Sequence, residues 1–135
     1  MTTIREDSMP VVLDCAIDPT TTTPAVRRRL TAALDLGDDH RYDVSLVVTE
    51  LVGNILDHAS GVGRLRVRWS AVPCTVVVEV DDTSPLPPVH GRSRLEGARG
   101  RGIVMVDALS GRWGTRALAD GGKTVFAVVG CRPPQ

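Results

Sequence analysis

The stretch from Tyr42 to Ala59 constrains the fold of this chain more than any other. Val44, Val47, Val48, Leu51, Ile55 and Ala59 recur at helical spacing and cover a wide apolar face. A helix that apolar is largely buried and needs a second layer over it. The residues after it supply one. Gly61 and Gly63 close the helix, and Arg64-Leu-Arg-Val-Arg-Trp69 then alternates with period two, apolar inward and arginine outward. Ala71-Val-Pro-Cys74 reads as a turn, and Thr75-Val-Val-Val-Glu-Val80 as a second strand antiparallel to the first. Upstream, Val11 to Ile17 is a short strand and Ala25 to Leu36 a helix, with a threonine before Pro24 as its N-cap and Gly37 at its end. Downstream, Ile103 to Leu109 starts a third helix. Trp113 to Leu118 and Lys123 to Val129 form a closing hairpin around Asp120-Gly-Gly122. The order predicts an α+β fold: a two-layer α/β sandwich whose mixed sheet is covered on one face by helices.

At 135 residues the chain is expected to hold a single domain over residues 11–135, preceded by a flexible polar tail at residues 1–10. Lys+Arg and Asp+Glu both number 16, so the formal net charge is zero, which argues against a polyanion partner. Cys15, Cys74 and Cys131 are widely spaced without a C-x-x-C pair, which reads as reduced core thiols. No signal-peptide core and no membrane-spanning apolar run is visible, so a cytoplasmic location away from membranes is expected.

Three segments carry candidate chemistry. Glu50, Asn54, Asp57 and His58 fall within one arc of the long helix, at about 100° per residue. A solvated helix face is the commoner reason for a polar stripe. Here the rest of the helix is unusually apolar, so the stripe would face a cavity or a thin solvent edge. Oxygen donors of this kind suit Mg²⁺, which keeps several waters and takes few protein ligands. Asn54 is also the only asparagine in the chain. Next, the strand Val76 to Val80 runs into Asp81-Asp82, where a carboxylate facing a pocket accepts from an adenine amino group. An Asx turn at Asp-Thr-Ser-Pro is the plain alternative. Finally, Asp82 to Gly102 is an aperiodic segment of about 20 residues, a length that is usually functional inside a small domain. It ends in Gly97-Ala-Arg-Gly-Arg-Gly102 directly before a helix, where free N–H groups and Arg99 and Arg101 suit phosphate. Gly121-Gly-Lys-Thr124 looks like part of a Walker loop, but a strand follows it, so it reads as a hairpin turn.

In this order the pieces resemble the GHKL (gyrase, chaperone, histidine kinase, mismatch-repair) ATP-binding fold, also called the Bergerat fold. More closely they resemble its single-domain branch, the bacterial anti-sigma factor serine/threonine-protein kinases. Thr49-Glu-Leu-Val-Gly-Asn-Ile-Leu-Asp-His-Ala59 is similar to the N box, and Val78-Glu-Val-Asp-Asp-Thr-Ser-Pro85 to the first nucleotide box in its D-x-S-P form. Gly100-Arg-Gly-Ile-Val-Met-Val106 is similar to the second glycine box, and Arg112-Trp-Gly114 with Gly122-Lys-Thr-Val125 to the closing segment.

The resemblance implies ATP and Mg²⁺ as cofactors and assigns roles. Asn54 would ligand the metal, and Glu50 would orient or deprotonate the attacking hydroxyl. Asp82, favoured over Asp81 by the D-x-S register, would bind the adenine amino group with Thr124 nearby. Ser84 belongs to the same box. Gly100, Arg101 and Gly102 would lie against the phosphates, and His58 near the phosphate end. The chain departs from the family at Ile55, where Ala is usual, at Ser84 for Gly, and at Ile103 for Leu. The implied partner is an anti-anti-sigma (STAS-type) protein, with an RNA polymerase sigma factor as the alternative ligand of the same surface. The family usually acts as a homodimer. A second reading is an ATP-gated module that sequesters a sigma factor without phosphoryl transfer. A third, nucleic-acid binding through Arg64, Arg66 and Arg68, is disfavoured by net neutrality and few aromatics.

Overall fold

The computed structural model describes residues 6–57, 61–83 and 106–130. Among the described residues five strands and two helices follow in the order β1 (Val11–Ile17), α1 (Thr23–Ala33), α2 (Asp38–Asp57), β2 (Gly63–Ala71), β3 (Cys74–Asp82), β4 (Arg112–Ala117) and β5 (Lys123–Gly130). Residues 106–109 add a helical turn before β4. The strands form one sheet in the order β1-β2-β3-β5-β4. α1 packs on β1 and α2 on β3 and β5. The expected α+β two-layer architecture is therefore observed.

One detail is corrected: every pairing among the described residues is antiparallel, so the sheet is not mixed. A single crossover helix would return the chain parallel to the strand it left. Here two helices intervene, and they bring the chain back to the end of the sheet it left, with Ile17 at the close of β1 opposite Gly63 at the start of β2.

The helix boundaries also moved, for identifiable reasons. Thr22 caps α1 from an extended backbone, its hydroxyl accepting from Ala25 N–H at 3.3 Å, with Pro24 in the first turn. The helix stops at Ala33 rather than Leu36, because Leu34 turns extended and both Leu34 and Leu36 are buried in the core. α2 begins at Asp38, ahead of its apolar pattern, since Asp38 and Asp39 in the first turn favour the positive end of the helix dipole. Residues 6–10, placed in a loose tail by composition, are held instead. Met9 is buried, and Arg68 Nη1 donates to Asp7 O at 3.2 Å and to Met9 O at 3.0 Å.

The core lies between the layers. Leu13, Cys15 and Ile17 of β1, Leu65 and Val67 of β2, Val76, Val78 and Val80 of β3, and Val125, Ala127 and Val129 of β5 form the sheet side. Val44, Val47, Val48, Leu51, Val52 and Ile55 of α2 close over them. The alternate residues of the strands bear charge. Arg66 makes a fork to Asp81 (2.7 and 2.8 Å), Arg68 donates to Glu79 at 2.8 Å and Arg64 to Asp14 at 2.6 Å. Arg112 and Arg116 lie over the Phe126 ring at 5.3 and 4.5 Å from its centre. The arginine stripe is thus matched by carboxylates of the same sheet face, a role that needs no polyanion.

Cys15 is a buried free thiol, its pKa pushed up by burial, whereas Cys74 is disulfide-bonded. That corrects the expectation of reduced thiols throughout. Separation along the chain carries no information about strand register, and cysteine spacing no longer argues for a reducing compartment.

Candidate functional site

The two adjacent aspartates at the end of β3 point in opposite directions, as strand geometry requires. Asp81 belongs to the charged face. Both of its oxygens are engaged by Arg66, and Thr124 Oγ1 donates to Oδ1 at 2.7 Å. Partial burial would raise the Asp81 pKa, but hydrogen bonds from Arg66 and Thr124 and the nearby guanidinium charges outweigh it and hold the carboxyl below its ordinary value. Asp82 follows Val76, Val78 and Val80 onto the helix-facing side and is buried. Register therefore separates a structural carboxylate, Asp81, from a candidate ligand-binding one, Asp82.

The expected companion of Asp82 is different from the one the sequence suggests. Thr124 stands on the charged face with Asp81. Lys123, paired across the ladder with Asp82, shares its face, and Lys123 Nζ donates to Asp82 Oδ2 at 3.2 Å. The two side chains are 8% and 9% exposed. Sequence reasoning passed over Lys123 as part of a hairpin turn, and the turn is real: Gly121 adopts φ +97° and Leu118 N–H donates to Gly122 O at 2.9 Å. The signal that could have singled it out is compositional: Lys123 is the only lysine in the chain.

Two glycines fix the backbone around this pair. Gly63 lies across the ladder from Asp82, and a Cβ there would collide with the carbonyl of Asp81 and come within 2.8 Å of Ile55 Cδ1. A Cβ at Gly122 would collide with the carbonyl of Asp82. These close approaches put the Asp82 end of β3 directly under the second half of α2. Ile55, the departure from the family pattern, is buried there and packs into the core rather than toward the polar stripe.

The stripe itself lies on α2. Glu50, Asn54 and Asp57 are half-buried, between the fully buried core positions and solvent. One carboxylate oxygen of Glu50 and one of Asp57 are closed off from solvent. With the Asn54 amide, this is an all-oxygen donor set, which fits Mg²⁺ rather than a thiolate- or imidazole-seeking metal. Among the described residues no three of His, Cys, Asp or Glu cluster as a metal cage, so any Mg²⁺ held here would keep most of its ligands from water and phosphate. His58, Ser84, Gly100, Arg101 and Gly102 lie outside the described residues. The segment that carries the three glycine-box residues re-enters at an anchored point. Val106 is buried in the core, Gly111 N–H donates to Val128 O at 2.9 Å, and Trp113 Nε1 donates to Asp107 at 2.8 Å.

A second buried polar group was not foreseen. His40, near the start of α2, is buried with Nε2 2.9 Å from Val129 O and Nδ1 3.7 Å from Cys74 Sγ. It ties α2 to the opposite end of β3 and β5, away from Asp82 and Lys123. Among the described residues, no helix is long and apolar enough to cross a membrane.

A family model described as a histidine kinase-like ATPase domain matches residues 15–129. The matched span runs from β1 through β5 and contains the α2 stripe, the Asp81-Asp82 end of β3 and the segment leading to Val106. Comparison with curated proteins gives no match.

Proposed function

The chain belongs to the histidine kinase-like ATPase domain family, an ATP-binding kinase-like module, and from that premise we propose that it is an anti-sigma factor-type serine/threonine-protein kinase. Its substrate in this proposal is an anti-anti-sigma (STAS-type) protein, and phosphorylation would switch a sigma factor between partners. The observation that supports the reading best is the division of labour at the end of β3. Asp81 is consumed by Arg66 and Thr124, while Asp82 is presented on the helix side beneath the α2 stripe.

In this mechanism Asp82 accepts a hydrogen bond from the adenine amino group. Asn54 would hold Mg²⁺ through its amide oxygen. A Mg²⁺ held there would supply positive charge against the charge that grows on the phosphate during transfer. Glu50, one turn before Asn54, orients the partner's serine or threonine hydroxyl and takes its proton as the oxygen bonds to the γ-phosphorus. The bond from that phosphorus to the β,γ-bridging oxygen breaks, and ADP leaves. Placement of reactants and fixed charge carries such a reaction, so a half-buried Glu50 next to the metal-binding amide suits it.

The test is calorimetric titration with ATP, with and without Mg²⁺, followed by transfer of labelled γ-phosphate to STAS-type proteins. The expected result is Mg²⁺-dependent ATP binding, and transfer that disappears in E50A. Binding of ATP and of a sigma factor, both surviving in E50A with no transfer by the wild type, would assign the chain to ATP-gated sequestration instead. Absence of ATP binding would reject both.

A further inference from the structure

Lys123 is the one basic residue of 16 that is not arginine, and it is buried. Lysine is rarely buried unless paired, and a hairpin has no use for a buried ammonium. Its pair is Asp82, directly opposite in the β3–β5 register, with Nζ 3.2 Å from Oδ2; the Gly122 backbone beside it packs closely on the Asp82 carbonyl. The candidate base-binding end of the sheet therefore offers an acceptor and a donor together.

A purine carries the matching pair on its Watson–Crick edge. Adenine presents its 6-amino donor beside the N1 acceptor. Guanine presents N1–H and 2-amino donors beside the O6 acceptor. A lone carboxylate reads the first edge and repels guanine O6. A carboxylate with an ammonium beside it satisfies either edge when the guanine ring is turned over relative to adenine, because donor and acceptor stand in opposite order at positions 6 and 1 of the two rings. The three N–H donors of lysine, on a flexible stem, can serve Asp82 and a ring atom together. The planar guanidinium used at every other basic position lacks that freedom.

We propose that Lys123 is a second base-reading residue, and that the chain binds guanine as well as adenine nucleoside triphosphates. Lys123 donates to N1 of adenine or O6 of guanine, while Asp82 accepts from the 6-amino group or from N1–H and the 2-amino group. The inference rests on the reading of Asp82 as the base-binding carboxylate.

The experiment is competitive binding of ATP and GTP, each with Mg²⁺, to wild type, K123M and K123Q. Wild type is expected to bind GTP within about tenfold of ATP, a comparison that needs no variant. K123M is expected to lower GTP affinity at least about tenfold relative to ATP, since both bases lose the lysine donor but only guanine O6 is then repelled by the Asp82 carboxylate, while the adenine 6-amino group still donates to it. K123M strands a buried carboxylate, so K123Q, whose amide still donates to Asp82, is the folded control. It is expected to lower the GTP-to-ATP ratio at least about threefold, its neutral amide being the weaker donor. Tight ATP binding with no GTP binding by wild type, or an unchanged ratio in the folded variants, overturns the role of Lys123 and leaves the ATP reading standing. Failure of wild type to bind either nucleotide overturns the reading of Asp82 itself.

Discussion

At the scale of single residues, Asp81 and Asp82 are neighbours in sequence with separate tasks, and substitution should separate them. D82A is expected to reduce ATP affinity at least about a hundredfold, because in the proposed site it removes the buried acceptor of the base amino group. D81A is expected to leave ATP affinity within about threefold and to lower stability by about 1–3 kcal/mol, through loss of the Arg66 fork and the Thr124 bond. Calorimetry reads the first effect and denaturant unfolding the second; an equal loss of ATP binding in both variants would contradict the division. The same pair makes stability depend on pH. Asp81 has its pKa lowered in the folded state from an ordinary 3.8. Its contribution is complete above that value and is lost as pH falls through the lowered one, because protonation breaks the fork. R66M should flatten the fall in stability on the acid side, measured by urea midpoints from pH 5 downward. An unchanged acid slope would show that Asp81 is not the group responsible.

At the scale of elements, much was legible and the remainder failed for physical reasons. Strand β1 was read with its observed limits because Val11 to Ile17 is bounded by Pro10 and Asp18. The arginine-outward alternation of β2 was read from period two alone. The end of α1 was misplaced because Leu34 and Leu36 fit a helical pattern and also fit extended burial, and only the core decides between them. The polar stripe of α2 was legible from angular spacing, while the partner of Asp82 was not. Register with β5 depends on which residue of the hairpin turn starts the strand, and a shift of one residue moves Thr124 to one face and Lys123 to the other. The close contacts of Gly63 and Gly122 were also invisible, since a glycine's near neighbours are set by strand pairing. These contacts predict an element-level effect. G122A is expected to destabilise the fold by about 1–3 kcal/mol, because the methyl would meet the Asp82 carbonyl, a backbone group that cannot swing aside. G37A, with open space around the position, is expected to stay within about 0.5 kcal/mol of wild type. Equal midpoints for the two variants in urea unfolding would mean that the β5 turn is not pressed on β3.

At the scale of the whole molecule, sheet and helix layer meet in one core, and the proposed ligand touches both, with the base on β3 and the metal on α2. Binding should therefore stabilise the chain as a unit. A ligand present at a hundred times its dissociation constant adds about 2.7 kcal/mol if it binds only the folded state. For a domain of 135 residues that is a rise in midpoint temperature of roughly 8–11 °C. N54A divides the two anchor points. Alanine has the higher helix propensity, by at most about 0.7 kcal/mol, so the unliganded variant should unfold within a few degrees of wild type. ATP without metal should still stabilise it, through Asp82. The additional increment that Mg²⁺ gives the wild type should vanish, because in the proposed site the amide oxygen of Asn54 joins the metal to the protein. Thermal unfolding scans of both proteins, unliganded, with ATP alone and with Mg-ATP, read these quantities. A Mg²⁺ increment in N54A as large as in the wild type would move the metal away from α2, and with it the argument that Glu50 stands one turn from the transferred phosphate.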